Sequence, residues 1–366
     1  MTDNTIYTRS SDGPQRRALK VVLPGGSGHV GRALARHFYE CGDKVCVLSR
    51  RTGKAPWRVV QWDGISAAKW VEELEGADLV INLADRSVDC RYTTANRRAI
   101  VDSRIAPTIL LGNVIGGLSQ PPRLWMNAST ATIYRNALDC GMDEATGDIG
   151  GKEQDTPTSW RFSVEVAACW EEAFFSAQAP RTRKIALRSA MIMDTEPGGV
   201  FDKLSRLVRL GLGGALGSGD QYVSWIHEKD FVHAVEHLIG RGDMEGPVNI
   251  ASPFPLSNRQ FMRVLREAWG LRIGLPAPEW MLEIGAAVVR TETELLLKSR
   301  RVIPGRLAKT GFRFSFGVWS DAVRDLVERW RQEHSGRRSV DAESSSVRRE
   351  LSESSVQRIA TTEGKL

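Results

Sequence analysis

LPGGSGHVGRAL, residues 23–34, lies between a short apolar run, LKVV, and a stretch whose apolar residues recur at helical spacing. Gly25, Gly28 and Gly31 form G-x-x-G-x-x-G, and Gly26, Gly28 and Gly31 form the overlapping G-x-G-x-x-G. Glycines in those places let the chain turn sharply out of a strand and let its backbone approach a diphosphate closely. The helix that begins near His29 then aims unpaired N–H groups and its positive dipole end at the same charge. A glycine turn without a ligand is the plain alternative, and a lone pattern match would not displace it. The setting favours the nucleotide: strand, glycine loop and amphipathic helix follow one another, as a dinucleotide site requires. Gly25, Gly26, Ser27, Gly28, His29, Val30 and Gly31 are the expected pyrophosphate contacts.

The end of the next strand discriminates between the two nicotinamide coenzymes. A site for NAD usually ends it in Asp or Glu, which accepts hydrogen bonds from the ribose hydroxyls. Here KVCVL runs into Ser49, Arg50 and Arg51, the first of them 18 residues beyond Gly31. A hydroxyl and a guanidinium in that place suit a 2′-phosphate, so the expected cofactor is NADP(H).

Around the loop, apolar runs alternate with helical patterns: LKVVL, HVGRALARHFYE, KVCVL, RVVQW, SAAKWVEELEG, DLVINL, RLWMNAS, SVEVAACWEEAFFS and KIALRSAMIM. Such alternation predicts an α/β chain with a Rossmann-type, doubly wound parallel sheet. Beyond residue 194 the pattern shifts to glycine-rich loops and helices, which predicts a smaller, mostly helical substrate lobe over the carboxyl ends of the strands. The expected organisation is a flexible N-terminal segment (1–17), an NADP-binding Rossmann domain (18–193), a substrate lobe with a helical C-terminal region (194–332), and a disordered, Ser- and charge-rich tail (333–366).

Composition narrows the function classes. Apolar residues make up 42% of the 366, enough for a sizeable core. No apolar run approaches the length of a bilayer span, and the N-terminus has no signal-like apolar segment. A net charge of +6 invites a nucleic-acid reading, but the basic residues are dispersed and no nucleic-acid motif accompanies them. Five scattered cysteines without a CxxC pair read as reduced thiols in a cytoplasmic setting, not as disulfides or a metal site. An organellar transit peptide is the alternative that the basic, Ser/Thr-containing N-terminus leaves open. The expected partner is a small-molecule substrate, with neither nucleic acid nor membrane involved.

Read in order, VINLAD, DSRIAPT, ASTATIY, LGLGGALGSGDQYVSWIHEKD and LLLKSRRVIPGRLAKTGFRF carry a resemblance. From about residue 18 to 332 the chain resembles the atypical, epimerase-like branch of the short-chain dehydrogenase/reductase superfamily, whose members end in a C-terminal domain of unknown function. The glycine loop is common to the superfamily, whereas the SWIH and VIPGRL…TGF segments are far more specific. The resemblance implies a bound NADP, with Ser49 and Arg50 at its 2′-phosphate and Asp63 of QWDG near adenine. It places Leu83 and Ala84 of NLAD along the cofactor and Arg104 of DSR beside it. Superfamily relatives are often dimers through helices beside the sheet, so a homodimer is compatible with it. Two positions depart from the family. Asp85 stands where the family usually has Gly, and it would repel the diphosphate unless turned away or paired, Arg86 being the expected partner. Pro24 replaces a more flexible residue.

Active members of the superfamily use the Tyr of Y-x-x-x-K as acid and base, with the Lys lowering its pKa and a Ser or Thr polarising the substrate oxygen. ASTATIY supplies that hydroxyl and places Thr130 in the polarising role, with Ser129 adjacent. The Tyr and Lys are missing. No tyrosine lies between Tyr134 and Tyr222, and the helix SVEVAACWEEAFF puts Ser163 and Ala167 at their positions. The family named above also generally lacks the pair. His227 of SWIHEKD is the leading substitute, since imidazole titrates near neutrality, although local bonding at a strand end is its plainer role. Tyr222 is another candidate donor if the glycine-rich loop 211–219 folds over the cofactor as a lid. Asp230 is expected to N-cap the helix FVHAVEHLI, Glu165 to face solvent, and Glu171 to be structural. Three readings stand: an NADP(H)-dependent oxidoreductase or nucleotide-sugar epimerase-like enzyme of nonstandard mechanism, a non-catalytic NADP(H)-binding redox sensor or regulator, and a scaffold that keeps the fold alone.

Overall fold

The computed structural model describes residues 17–154, 156–283 and 293–334. Its first half alternates β1 (Lys20–Pro24), α1 (His29–Glu40), β2 (Lys44–Ser49), β3 (Arg58–Gln61), α2 (Val71–Leu74), β4 (Leu79–Asn82), α3 (Thr94–Gly117), β5 (Leu124–Thr130), α4 (Thr158–Phe175) and β6 (Arg183–Ser189). There follow β7 (Met191–Met193), α5 (Val200–Arg209), β8 (Tyr222–Val223), β9 (Trp225–His227), α6 (Glu228–Gly240), β10 (Gly246–Ile250), β11 (Leu256–Ser257) and α7 (Asn258–Ala268). Seven of the strands form one parallel sheet in the order β10-β6-β5-β4-β1-β2-β3. A parallel sheet is covered on both faces, which is why its strands read as near-continuous apolar runs. Successive side chains point to opposite faces. Val21, Leu23, Ile81 and Met126 accordingly join the core under α1 and α6, while Val22, Val80, Trp125 and Ala186 join the one on the other face, with Leu111, Ile115 and Phe174.

The main-sheet strand missing from the sequence reading is β10. GPVNI is short and contains Pro247, which donates no ladder hydrogen bond. It is tolerated because β10 is an edge, paired with β6 alone. The stretch 194–332, read as one lobe, is therefore shared: α6 and β10 complete the Rossmann unit. The rest builds a second core around Phe201, Trp225, Phe261 and Trp319, the last on a helix running through 319–334.

After the short helix Glu294–Leu297, the chain is stitched back onto the loop that follows β5. Lys298 Nζ donates to the Thr132 carbonyl at 2.8 Å, Ser299 Oγ to the Ala137 carbonyl at 2.6 Å, and the Met142 N–H to the Arg301 carbonyl at 2.7 Å. This return fixes residues 294–303 beside the carboxyl end of the sheet. Among the described residues, α3 alone is long and apolar enough to cross a membrane by length and composition, a property the sequence reading overlooked. It packs along α4 and buries Ile100, Leu111 and Ile115. No cysteine is disulfide-bonded. Residues 1–16 and 335–366, for which flexibility was expected, lie outside the described residues; Arg17 donates to Asp78, and residues 333–334 continue the last helix.

Candidate functional site

The strand order reverses between β1 and β4, and a doubly wound sheet binds ligands outside the carboxyl ends of its strands at such a point. A cleft of about 600 Å³ opens there. Every residue expected around the cofactor lines it except Gly26, which is buried within the loop. The three glycines of the G-x-x-G-x-x-G pattern do different work. Gly25 has φ +74°, and a Cβ on it would sit 2.6 Å from the Ala84 nitrogen. A Cβ on Gly31 would meet the Gly26 backbone at 2.5 Å. Gly28 is different: its backbone is extended and a Cβ would find no protein atom within 4 Å. No side chain caps α1, so its first-turn N–H groups face the cleft without a side-chain acceptor. An open cradle under uncapped amides fits a diphosphate.

At one end, buried Ser49 accepts a hydrogen bond from the Arg51 N–H at 3.3 Å. Arg50 is exposed, and among the described residues its guanidinium forms no ion pair. Asp63, beside Trp62 and Gly64, accepts hydrogen bonds from the Ser66 hydroxyl and from the Ser66 and Ile65 N–H groups. These bonds, the hydroxyl first, lower its carboxyl to about 2 and make it the organiser of the 63–66 turn as well as a cleft wall.

The anomalous Asp85 is paired, though not with the expected partner. Arg104 Nη2 donates to Asp85 Oδ2 at 3.2 Å and to the Arg86 carbonyl at 3.1 Å, while Arg86 itself donates to Asn96. Arg104 is buried, its guanidinium carbon 5.2 Å from the Trp170 ring centre. The resemblance placed Arg104 beside the cofactor; it lines the cleft, and its charge is committed to neutralising Asp85.

The far end of the cleft holds the hydroxyls. Thr130 Oγ1 accepts from the Thr132 N–H at 3.1 Å and keeps its own proton to donate. Ser129 donates at 2.6 Å to Glu171, which forms a two-pronged buried pair with Arg188 at 2.8 and 2.7 Å. Glu171 is thus structural, and Glu165 is exposed, as the sequence suggested. Ser163 and Ala167, at the positions of the missing Tyr and Lys, both line the cleft. So do three residues the sequence reading did not select: Tyr92, Glu294 and Arg300. Tyr92 Oη lies 3.2 Å from Ser163 Oγ, and Ser163 donates to the Glu294 carboxylate. Arg300 donates to Glu294 Oε1 at 3.4 Å and to Thr132 Oγ1 at 3.2 Å.

The plainer, local-bonding role of His227 holds here, while its catalytic role, the capping role of Asp230 and the donor and lid roles of Tyr222 and loop 211–219 fail. His227 is fully buried and does not line the cleft. Its Nδ1 accepts the Lys229 N–H at 3.2 Å, capping α6, which leaves Nε2 to face Asp325 at 3.0 Å, and its ring stacks on Phe316. Burial, opposed by Asp325, lowers its pKa to about 4, so it is a neutral structural residue. Asp230 is therefore not the cap; its buried carboxylate accepts the Ser315 and Phe316 N–H groups, each at 2.8 Å. Tyr222 pairs in the small sheet β8–β11 under Arg301, away from the cleft. The loop 211–219 is no lid over it either. Its Gly214 and Gly217 N–H groups donate to the Leu275 and Ala277 carbonyls, and a Cβ on Gly214 would lie 2.4 Å from the Pro276 nitrogen. Gly214 serves close packing between segments of the lobe.

Comparison with known proteins agrees with this geometry. The model of the NAD dependent epimerase/dehydratase family matches residues 21–251, and a domain of unknown function matches residues 277–326. The human epimerase family protein SDR39U1 is 29% identical over 314 residues, covering 84% of this chain and all of the relative. A Mycobacterium tuberculosis epimerase family protein is 29% identical over 306 residues, covering 83% of this chain and 96% of its own length. The crystal structure of human SDR39U1 with NADPH superposes with a TM-score of 0.73 at 27% identity, covering 84% of this chain and 99% of that one. A nucleoside-diphosphate sugar epimerase from Corynebacterium glutamicum gives 0.64 at 26% identity, covering 84% of this chain and 58% of that one.

Proposed function

The chain belongs to the NAD dependent epimerase/dehydratase family, and from that premise we propose that it binds NADP(H) and interconverts a carbonyl and the corresponding alcohol without a Tyr–Lys pair. The observation that carries the reading is Gly28, open to the cleft beneath the uncapped start of α1, with Arg50 along the same cleft. Backbone N–H groups hold the diphosphate, and the Arg50 guanidinium with the Ser49 hydroxyl recognises the 2′-phosphate. Leu83 and Ala84 form the floor between β1 and β4, where Gly25 approaches too closely for any side chain. Bound there, the coenzyme supplies or accepts hydride. Thr130 offers its proton to the substrate oxygen. The NADPH-bound human relative supports the cofactor choice.

The competing reading, a protein that holds NADP(H) for regulation without chemistry, draws on Ala167, a neutral methyl lining the cleft at the lysine position. Calorimetric titration of NADPH and NADH tests the binding step that both share. The wild type should prefer NADPH by about tenfold or more, and Arg50→Ala should abolish most of that preference. Equal affinity for the two coenzymes in the wild type would refute the assignment.

A further inference from the structure

From the arrangement at the far end of the cleft, and resting on the NADP(H) reading above, we infer that Tyr92 is the catalytic acid and base, linked through Ser163 to Glu294. The phenol is supplied by the segment before α3, and the carboxylate by the C-terminal region. Both meet at Ser163, the residue that occupies the vacated tyrosine position on α4. Glu294 is buried and Arg300 beside it is buried too, so the carboxylate is not a solvated surface group. Arg300, held by Thr132 as well, is a positioning residue for Glu294.

The hydrogen-bond directions follow from counting protons. Serine has one hydroxyl hydrogen, and an ionised carboxylate only accepts. Ser163 therefore donates to Glu294, which obliges Tyr92 to donate to Ser163. In that state the chain is set for alcohol oxidation. The carbinol O–H proton passes to Tyr92 Oη, the phenol proton to Ser163, and the serine proton to Glu294. The carbinol C–H bond breaks at the same time, its electron pair leaving as hydride to an oxidised nicotinamide dinucleotide. Carbonyl reduction runs the same shifts backward from a protonated Glu294 and a reduced coenzyme. One proton and one hydride are transferred in either direction.

The surroundings define the substrate class. Around the phenol the wall is Val88, Ile100, Phe162 and Val166. The cations nearby are engaged: Arg104 with Asp85, Arg300 with Glu294, and Arg97 with its guanidinium carbon 4.7 Å from the Phe162 ring centre. Among the described residues of that set no uncommitted cation is left to hold a second diphosphate. The fitting substrate is an uncharged ketone or secondary alcohol with an apolar substituent.

Four proteins test this: the wild type, Tyr92→Phe, Ser163→Ala and Glu294→Gln. Tyr92→Phe keeps the edge contact with Phe162, and Glu294→Gln keeps the side-chain shape, so both should melt near the wild type. NADPH affinity, read by calorimetry, should stay within about threefold in all four; loss of binding in the wild type would sink the cofactor reading itself. Oxidation of NADPH across a panel of aliphatic, cyclic and aryl ketones should be supported by the wild type and fall about 100-fold or more in Tyr92→Phe.

A second readout needs no turnover. Tyrosinate absorbance of the coenzyme-free protein, differenced against Tyr92→Phe, reports ionisation of this phenol. Among the described residues, the charged groups facing it are Glu294 through Ser163, together with Arg300, Arg104 and Arg97. Removing the negative charge in Glu294→Gln should lower the midpoint by about one pH unit. The inference is overturned by full activity in Tyr92→Phe, or by a midpoint indifferent to Glu294→Gln. It is equally overturned if a wild type that binds NADPH turns over no ketone in the panel.

Discussion

Gly28 and Gly31 look equivalent in the sequence and differ sharply in space, which yields a paired experiment. Replacing Gly31 by Ala puts a methyl 2.5 Å from the Gly26 backbone, about 1 Å inside an ordinary contact. Backbone must shift, because no flexible side chain is available to yield, and overpacking of this kind costs about 1–3 kcal/mol or more. Replacing Gly28 by Ala meets no protein atom within 4 Å, at φ −72° and ψ 177°, a conformation any residue adopts. The loss of unfolded-state freedom favours Ala slightly and its weaker N-cap propensity opposes it, so stability should change by less than about 1 kcal/mol. The methyl lies on a residue that lines the cleft, however, and would stand in the diphosphate's path. NADPH affinity should fall at least about tenfold, or 1.4 kcal/mol. Urea unfolding and calorimetry on the two variants read both quantities. If Gly28→Ala were as stable as the wild type and bound NADPH equally well, the diphosphate could not lie over this loop.

Other variants test the structural residues. Above pH 6.5 His227 is neutral in both folded and unfolded chains; as pH falls toward about 4 only the unfolded chain takes up the proton. Native stability is therefore lost across that window, by at most about 3 kcal/mol for this one group. His227→Gln should flatten this limb in urea titrations run from pH 7 to 4, and an unchanged slope would show that the imidazole is not buried neutral. Glu171→Ala leaves Arg188, which is buried, with the Tyr134 hydroxyl at 2.9 Å as its one remaining side-chain hydrogen-bond partner among the described residues. It should cost about 3–5 kcal/mol. The double variant Glu171→Leu/Arg188→Met should recover most of the loss, and equal stability of the single variant and the wild type would show the pair to be solvated.

The sequence made legible whatever is local. The five inner strands announce themselves because burial on both faces demands apolar runs, the edge strand β3 shows only its Val pair, and the glycine loop is legible because a tight turn admits few residue types. GPVNI stayed hidden, since an edge strand needs neither a long apolar run nor a complete set of donors. His227 misled for a related reason. Histidine chemistry is read from residue type, whereas its function here depends on a stack with Phe316 and a contact with Asp325, 98 residues away. Glycines 211–219 suggested mobility, yet the backbone of Gly213 and Gly214 packs closely against residues 274–276. Asp85 was recognised as needing a counter-charge, but Arg104, 19 residues on, was hidden behind the sequence neighbour Arg86.

The reactive end of the cleft was the least legible part because no single segment contains it. Tyr92 and Ser163 are separated by 71 residues, Ser163 and Glu294 by 131, and Arg300 reaches Thr132 across 168. A Y-x-x-x-K pair can be searched for because both groups sit one helical turn apart on the same face. A relay assembled from three segments has no such period. Its only trace in the sequence is the run of polar residues after an apolar triplet in ELLLKSRR, residues 294–301. Lys298, Ser299 and Arg301 in that run are bound to the loop after β5, and that docking delivers Glu294 and Arg300 to the cleft. The C-terminal region is thus physically part of the site, and what replaces the missing tyrosine cannot be judged from α4 alone.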